Sequence, residues 1–132
     1  MNVSRRQFEV FKAECDRWIE FFNLNDWEVY YKKVEDDENR GSIIVDVSAR
    51  TANIYLMMDW GNHPVRITDE EVKKVAFHEA CELLLSPIMY MVGQRYDLSE
   101  SNVVGELHGI IRTFENRIFE IMEHSSEDLP DY

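Results

Sequence analysis

Three side chains able to move protons or hold a cation, His78, Glu79 and Glu82, interrupt the otherwise apolar run "VAFHEACELLL", Val75 to Leu85. On a wheel of about 100° per residue, Val72, Ala76, Glu79 and Leu83 share one helical face. His78 and Glu82 are four apart and stack one turn above the other along its edge. A buried carboxylate without compensation is costly or takes up a proton. A divalent ion offers that compensation, because a neutral imidazole and a carboxylate one turn apart can bind the same cation. Glu79, beside the first ligand and turned slightly inward, could then take a proton from water acidified by the ion. An acidic helix with solvated polar groups produces the same short pattern, so the pattern alone leaves both readings open.

A third donor comes from later in the chain. In "GELHGII", His108 flanks an apolar stripe close to Val104 and Ile111, between Gly105 and Gly109. Glycine costs roughly 1 kcal/mol in a helix interior relative to Ala. Two of them beside one histidine suggest close approach by another element or a ligand, with plain helix packing as the alternative. Glu106 and Glu100 are further candidate oxygens, although Glu106 points to the opposite flank from His108. Arg112 and Glu115 read as a surface pair or as support behind a ligand. His63 lies in a loop, His124 in the tail, and Cys81 opposite the polar cluster, so none of the three is a favoured ligand.

These groups need elements to hold them. Ser4 and Gln7 have capping-box spacing, and Phe8, Phe11, Cys15, Trp18, Ile19 and Phe22 recur as in a helix over about 5–22, ended by "NLND". "WEVYYKKV", "SIIVDVS" and "ANIYLMM" read as three short strands, the first two separated by the acidic turn "EDDENRG". Strands so close in sequence favour a mostly antiparallel sheet, since parallel neighbours need long crossovers. After the loop "DWGNHPVRI", Thr68 and Glu71 form a second capping box, opening a helix that Pro87 is expected to stop at about Ser86. "IMYMVGQRY" reads equally as a linker or a short helix. A last helix runs from Ser99 or Ser101 to about Met122, with Val103, Val104, Leu107, Ile110, Ile111, Phe114, Ile118, Ile121 and Met122 as its stripe. The order α-β-β-β-α-α predicts an α+β fold, a small three-stranded sheet packed against helices.

The chain has 132 residues, room for one domain, with residues 124–132 expected to fray as an acidic tail. Its 26 acidic and 14 basic residues give a net charge of -12. That balance argues against nucleic acid, whose binding needs concentrated Lys and Arg, and favours cations or a basic protein partner. Trp18, Trp27 and Trp60 are therefore read as core or rim aromatics rather than a base-stacking platform. Two cysteines without C-x-x-C spacing fit a reducing compartment. No signal core and no membrane span is visible, which predicts a cytoplasmic protein.

"W.VYY", "ANIYLMM", "ITDEEVKKVAFHEACELLL" and "ELHGIIRTFENRI" together resemble the small phage and prophage metallopeptidases of the zincin type, which are distantly similar to the SprT-like minimal zinc peptidases. The resemblance covers about Trp18 to Ile121 and, if it extends to origin, implies a host cytoplasm. It implies a helix carrying H-E-x-x-H below a short sheet, a further ligand from the next helix, and zinc or another divalent metal. It assigns His78 as first ligand and Glu79 as general base, in hydrolysis of a peptide bond by metal-activated water. The second histidine of the motif is Glu82 here. Glutamate can ligate zinc, so the implied set is His78, Glu82 and His108, with Glu106 as substitute for His108. The extra negative charge would weaken the ion's Lewis acidity. The chain could accordingly be an active peptidase, a weakened one, or a non-enzymatic acidic interaction protein on the same scaffold. The resemblance also implies a strand at the cleft rim, expected to be "ANIYLMM", to which an extended peptide could add.

Overall fold

The computed structural model describes residues 2–35, 39–61, 66–95, 100–119 and 121. The elements follow the expected order: α1 (Arg5–Phe21), β1 (Glu28–Val34), β2 (Gly41–Asp46), β3 (Thr51–Met57), α2 (Asp69–Arg95) and α3 (Glu100–Phe114). A π-helical turn, Glu115–Phe119, continues α3. The fold is α+β, a three-stranded sheet packed against helices.

Local chemistry accounts for most boundaries. The Ser4 hydroxyl accepts from the Gln7 N–H and the Gln7 side chain accepts from the Ser4 N–H, closing the capping box that starts α1. Its end is a left-handed turn at Asn23 (φ 58°), where Leu24 N–H donates to the Ile19 carbonyl and Asn23 N–H to that of Glu20. Thr68 and Glu71 exchange the same reciprocal bonds at the start of α2.

The sheet order is β1-β3-β2, and it is mixed. β2 and β3 form an antiparallel hairpin, whereas β1 runs parallel to β3. The crossover that a parallel pair requires is supplied by β2 itself, which lies on the far side of β3. "ANIYLMM" is consequently the central strand and cannot be the rim: Ala52, Ile54 and Leu56 are fully buried, and both its backbone edges are paired. β1 and β2 are the two edge strands, and β2 is the one whose start lines a cleft beside α2.

Pro87 does not stop α2, which continues through Ile88 to Arg95. Proline removes the N–H that would meet the Leu83 carbonyl four residues back. The Ser86 hydroxyl donates to that carbonyl at 2.7 Å and replaces the lost bond. The segment read as linker or short helix is therefore, as far as Arg95, the last part of α2. The final helix also departs from expectation, since regular α-helix ends at Phe114 and Ile110 and Ile121 are exposed. The tail 124–132, His63 and His124 lie outside the described residues.

Two apolar clusters organise the interior. The larger joins α1, the sheet and α2 through Phe8, Phe11, Cys15, Ile54, Leu56, Val72, Ala76 and Leu83, with Trp27 and Trp60 at its margin. The smaller joins Trp18, Phe77, Ala80, Cys81, Ile111 and Phe119, and it seats α3 and the π-helical turn on the rest. Among the described residues, no helix is long and apolar enough to cross a membrane.

Candidate metal centre

α2 is wedged between the two clusters, with Val72, Ala76 and Leu83 buried in one and Phe77, Ala80 and Cys81 in the other. What remains of its circumference carries the polar groups. His78 and Glu82 stay half-buried on that strip, and Glu79, only 2% exposed, faces inward as the wheel predicts. Leu107 and Ile111 anchor the buried side of α3, which turns His108 toward Glu82.

The donors converge. His108 Nε2 lies 3.0 Å from Glu82 Oε1, and His78 Nε2 lies 3.8 Å from Glu82 Oε2. Ligand atoms of His78, Glu82 and His108 all fall within 4.8 Å of one another. Bonds of 2.0–2.1 Å to a tetrahedral zinc place neighbouring donors about 3.3 Å apart. The 3.0 and 3.8 Å separations bracket that spacing, and two imidazoles with one carboxylate are a donor set that zinc accepts. The residues fit a divalent metal.

These groups line a cleft of about 570 Å³ between α2, α3 and the start of β2, together with Arg40, Ser42, Lys74, Glu79 and Glu115. Glu79 sits where the start of β2 packs against α2. A Cβ built on Gly41 would meet Val75 Cγ1 at 2.6 Å and Glu79 Oε1 at 3.1 Å, so only glycine leaves room there. Among the described residues no other element approaches Gly105 or Gly109 closely: nothing lies within 4 Å of a Cβ at Gly105, and only Arg112 Nη2, at 3.9 Å, at Gly109. Gly41, in a segment read as a solvated turn, is the glycine the site needs. Its only sequence signal was its position directly before a strand.

Glu115 also reaches the centre. Its Oε1 lies 3.4 Å from His78 Nδ1, the nitrogen facing away from Glu82. This carboxylate raises the pKa of His78 above the ordinary histidine value, helped by the charge of Glu82 and opposed by burial and by Arg112. Metal binding at His78 must therefore displace a proton more firmly held than usual. The Cys81 thiol is pushed up to about 12, first by burial and then by the charges of Glu115, Glu82 and Glu79. Lodged in the aromatic cluster, it is a core residue. The side chains of Glu100 and Glu106 lie outside those described.

No protein-family model, curated protein or solved structure matches this chain, so its own geometry is the ground on which a function must be argued.

Proposed function

We propose that the protein is a zinc-dependent peptidase of zincin type, with His78, Glu82 and His108 holding the ion and Glu79 as general base. The observation that carries this reading is the meeting of two imidazoles and a carboxylate, from helices distant in sequence, within 4.8 Å. Zinc held there supplies Lewis acidity to a substrate carbonyl and to water. Glu79, adjacent to His78 and nearly excluded from solvent, receives the proton that water loses as its oxygen bonds to the carbonyl carbon. The same carboxyl returns that proton to the amine nitrogen as the C–N bond breaks. Among the described residues, the outer edge of β2 has no strand partner and its start borders the cleft, so its backbone suits an extended peptide laid along it. Two buried free cysteines agree with a cytoplasmic setting.

Elemental analysis of protein expressed with zinc available should give one zinc per chain, lost in His78→Ala. Glu79→Gln should keep the zinc and lose cleavage of a peptide library. Protein that carries no metal and takes up none would end this reading. Metal without cleavage of any peptide would reduce it to a binding scaffold.

The net charge of -12 and the Glu82 replacement favour one other reading, a non-enzymatic protein that binds a basic partner on the same scaffold. Co-purification of one partner, unaffected by chelator or by His78→Ala, distinguishes it.

A further inference from the structure

His78 stands between two carboxylates, one facing each ring nitrogen. Nε2 faces Glu82 on its own helix, and Nδ1 faces Glu115, the first residue of the π-helical turn. An imidazole ligates through one nitrogen only, and the bond made by the other nitrogen fixes which one is free to do so. We propose that Glu115 is the positioning residue of the centre: its carboxylate accepts a hydrogen bond from the Nδ1–H of His78 and so directs the Nε2 lone pair toward Glu82 and His108.

Three observations support this assignment. The Nδ1–Oε1 separation is 3.4 Å with hydrogen-bonding geometry, and both side chains are mostly withdrawn from water, at 27% and 19% exposure. Glu115 enters the site from the element that Phe119 pins into the aromatic cluster, so its backbone is anchored four residues away. Irregular π-helical turns occur preferentially at functional sites, where the wider coil re-aims side chains that a regular helix would carry elsewhere. Here regular α-helix gives way at the residue that meets His78.

The inference rests on the metal reading above, but its experiment separates the two. Long-range ¹H–¹⁵N spectra of uniformly ¹⁵N-labelled protein report the tautomer of each histidine with and without zinc, and chelator competition reports zinc affinity. In wild type the neutral metal-free His78 should carry its proton on Nδ1, and zinc should shift the Nε2 resonance. Glu115→Ala should return His78 to a mixture of tautomers and weaken zinc 10–100-fold, the range for losing such a partner. Glu115→Gln keeps an acceptor oxygen and should fall between the two.

A tautomer unchanged in Glu115→Ala, or zinc bound through Nδ1 of His78, would overturn the assignment. The latter would make Glu115 itself a candidate ligand. If wild type binds no zinc, the metal reading fails alone, because the metal-free tautomer of wild type and Glu115→Ala still decides the role of Glu115. A loss of general stability in Glu115→Ala would lower affinity without moving the tautomer, and so would count against positioning.

Discussion

Among the described residues, the larger cluster, between sheet, α1 and α2, differs from the smaller one under α3 in how many buried side chains it gathers. In the first, Phe11, Cys15, Ile54, Leu56, Val72, Ala76 and Leu83 have no measurable exposure, and capping boxes fix both its helices. In the second, only six residues, each as fully buried, hold α3 and the π-helical turn, while outside the cluster Ile110 and Ile121 remain exposed at 45% and 62%. The candidate centre straddles the two. His78, Glu79 and Glu82 ride on the helix that both clusters grip, whereas His108 and Glu115 belong to the lightly held side. Since local opening follows the density of buried contacts, the centre is only as persistent as its weaker half.

Phe119→Ala and Ile54→Ala set the two clusters against each other. Removing a buried Phe typically costs about 3–5 kcal/mol and a buried Ile about 2–5 kcal/mol. Ile54→Ala should lower hydrogen-exchange protection across α1, β3 and α2 together. Phe119→Ala should strip protection first from α3 and the π-helical turn, and with it zinc binding, leaving β3 protected. Equal loss in β3 and α3 after Phe119→Ala would mean one cooperative unit and would erase the distinction.

Gly41→Val sharpens the comparison from the other side, because it perturbs the centre from the well-packed half. Its Cβ would lie 2.6 Å from Val75 Cγ1, an overpacking that typically costs about 1–3 kcal/mol. Displacing the Glu79 carboxylate should depress peptide cleavage while zinc affinity stays near wild type. If zinc affinity drops as far as cleavage does, β2 supports the ligands and not only the base.

The smallest expected effect concerns how α1 and α2 are tied at their first turns. Arg6 donates two hydrogen bonds to Asp69, at 2.8 and 3.0 Å, and holds its carboxyl below the usual aspartate range, against the opposing effect of burial. A depressed folded-state pKa contributes stability above the unfolded value of about 3.9, and that contribution is lost as pH falls through the folded value. The urea midpoint of wild type should therefore fall between pH 4 and 2 slightly more than that of Asp69→Asn. The pair is exposed, so the difference should be small, and parallel curves would show that it contributes nothing.

Legibility followed the range of the forces involved. α1, the three strands and the start of α2 were readable because caps and periodicity act within a few residues, and the observed boundaries agree within one or two positions. Pro87 misled because its effect was weighed without Ser86, whose hydroxyl restores the bond that proline removes. "ANIYLMM" was recognised as a strand but assigned to the wrong place, since alternation does not encode strand order. Its three fully buried residues are those of a central strand. Gly105 and Gly109 drew attention by their cost in a helix, whereas Gly41 matters through a neighbour more than thirty residues away.

The amino-acid order alone determined that His78, Glu79 and Glu82 share a helix, with Glu79 on its apolar face, because 3.6 residues per turn is a property of any α-helix. It also determined that an imidazole would recur on a later helix. Only the tertiary structure decided that His108 meets Glu82, that Glu115 stands behind His78, and that β2 rather than β3 borders the cleft. Those relations depend on how helices and strands distant in sequence pack against one another, and packing is settled by the whole buried surface at once.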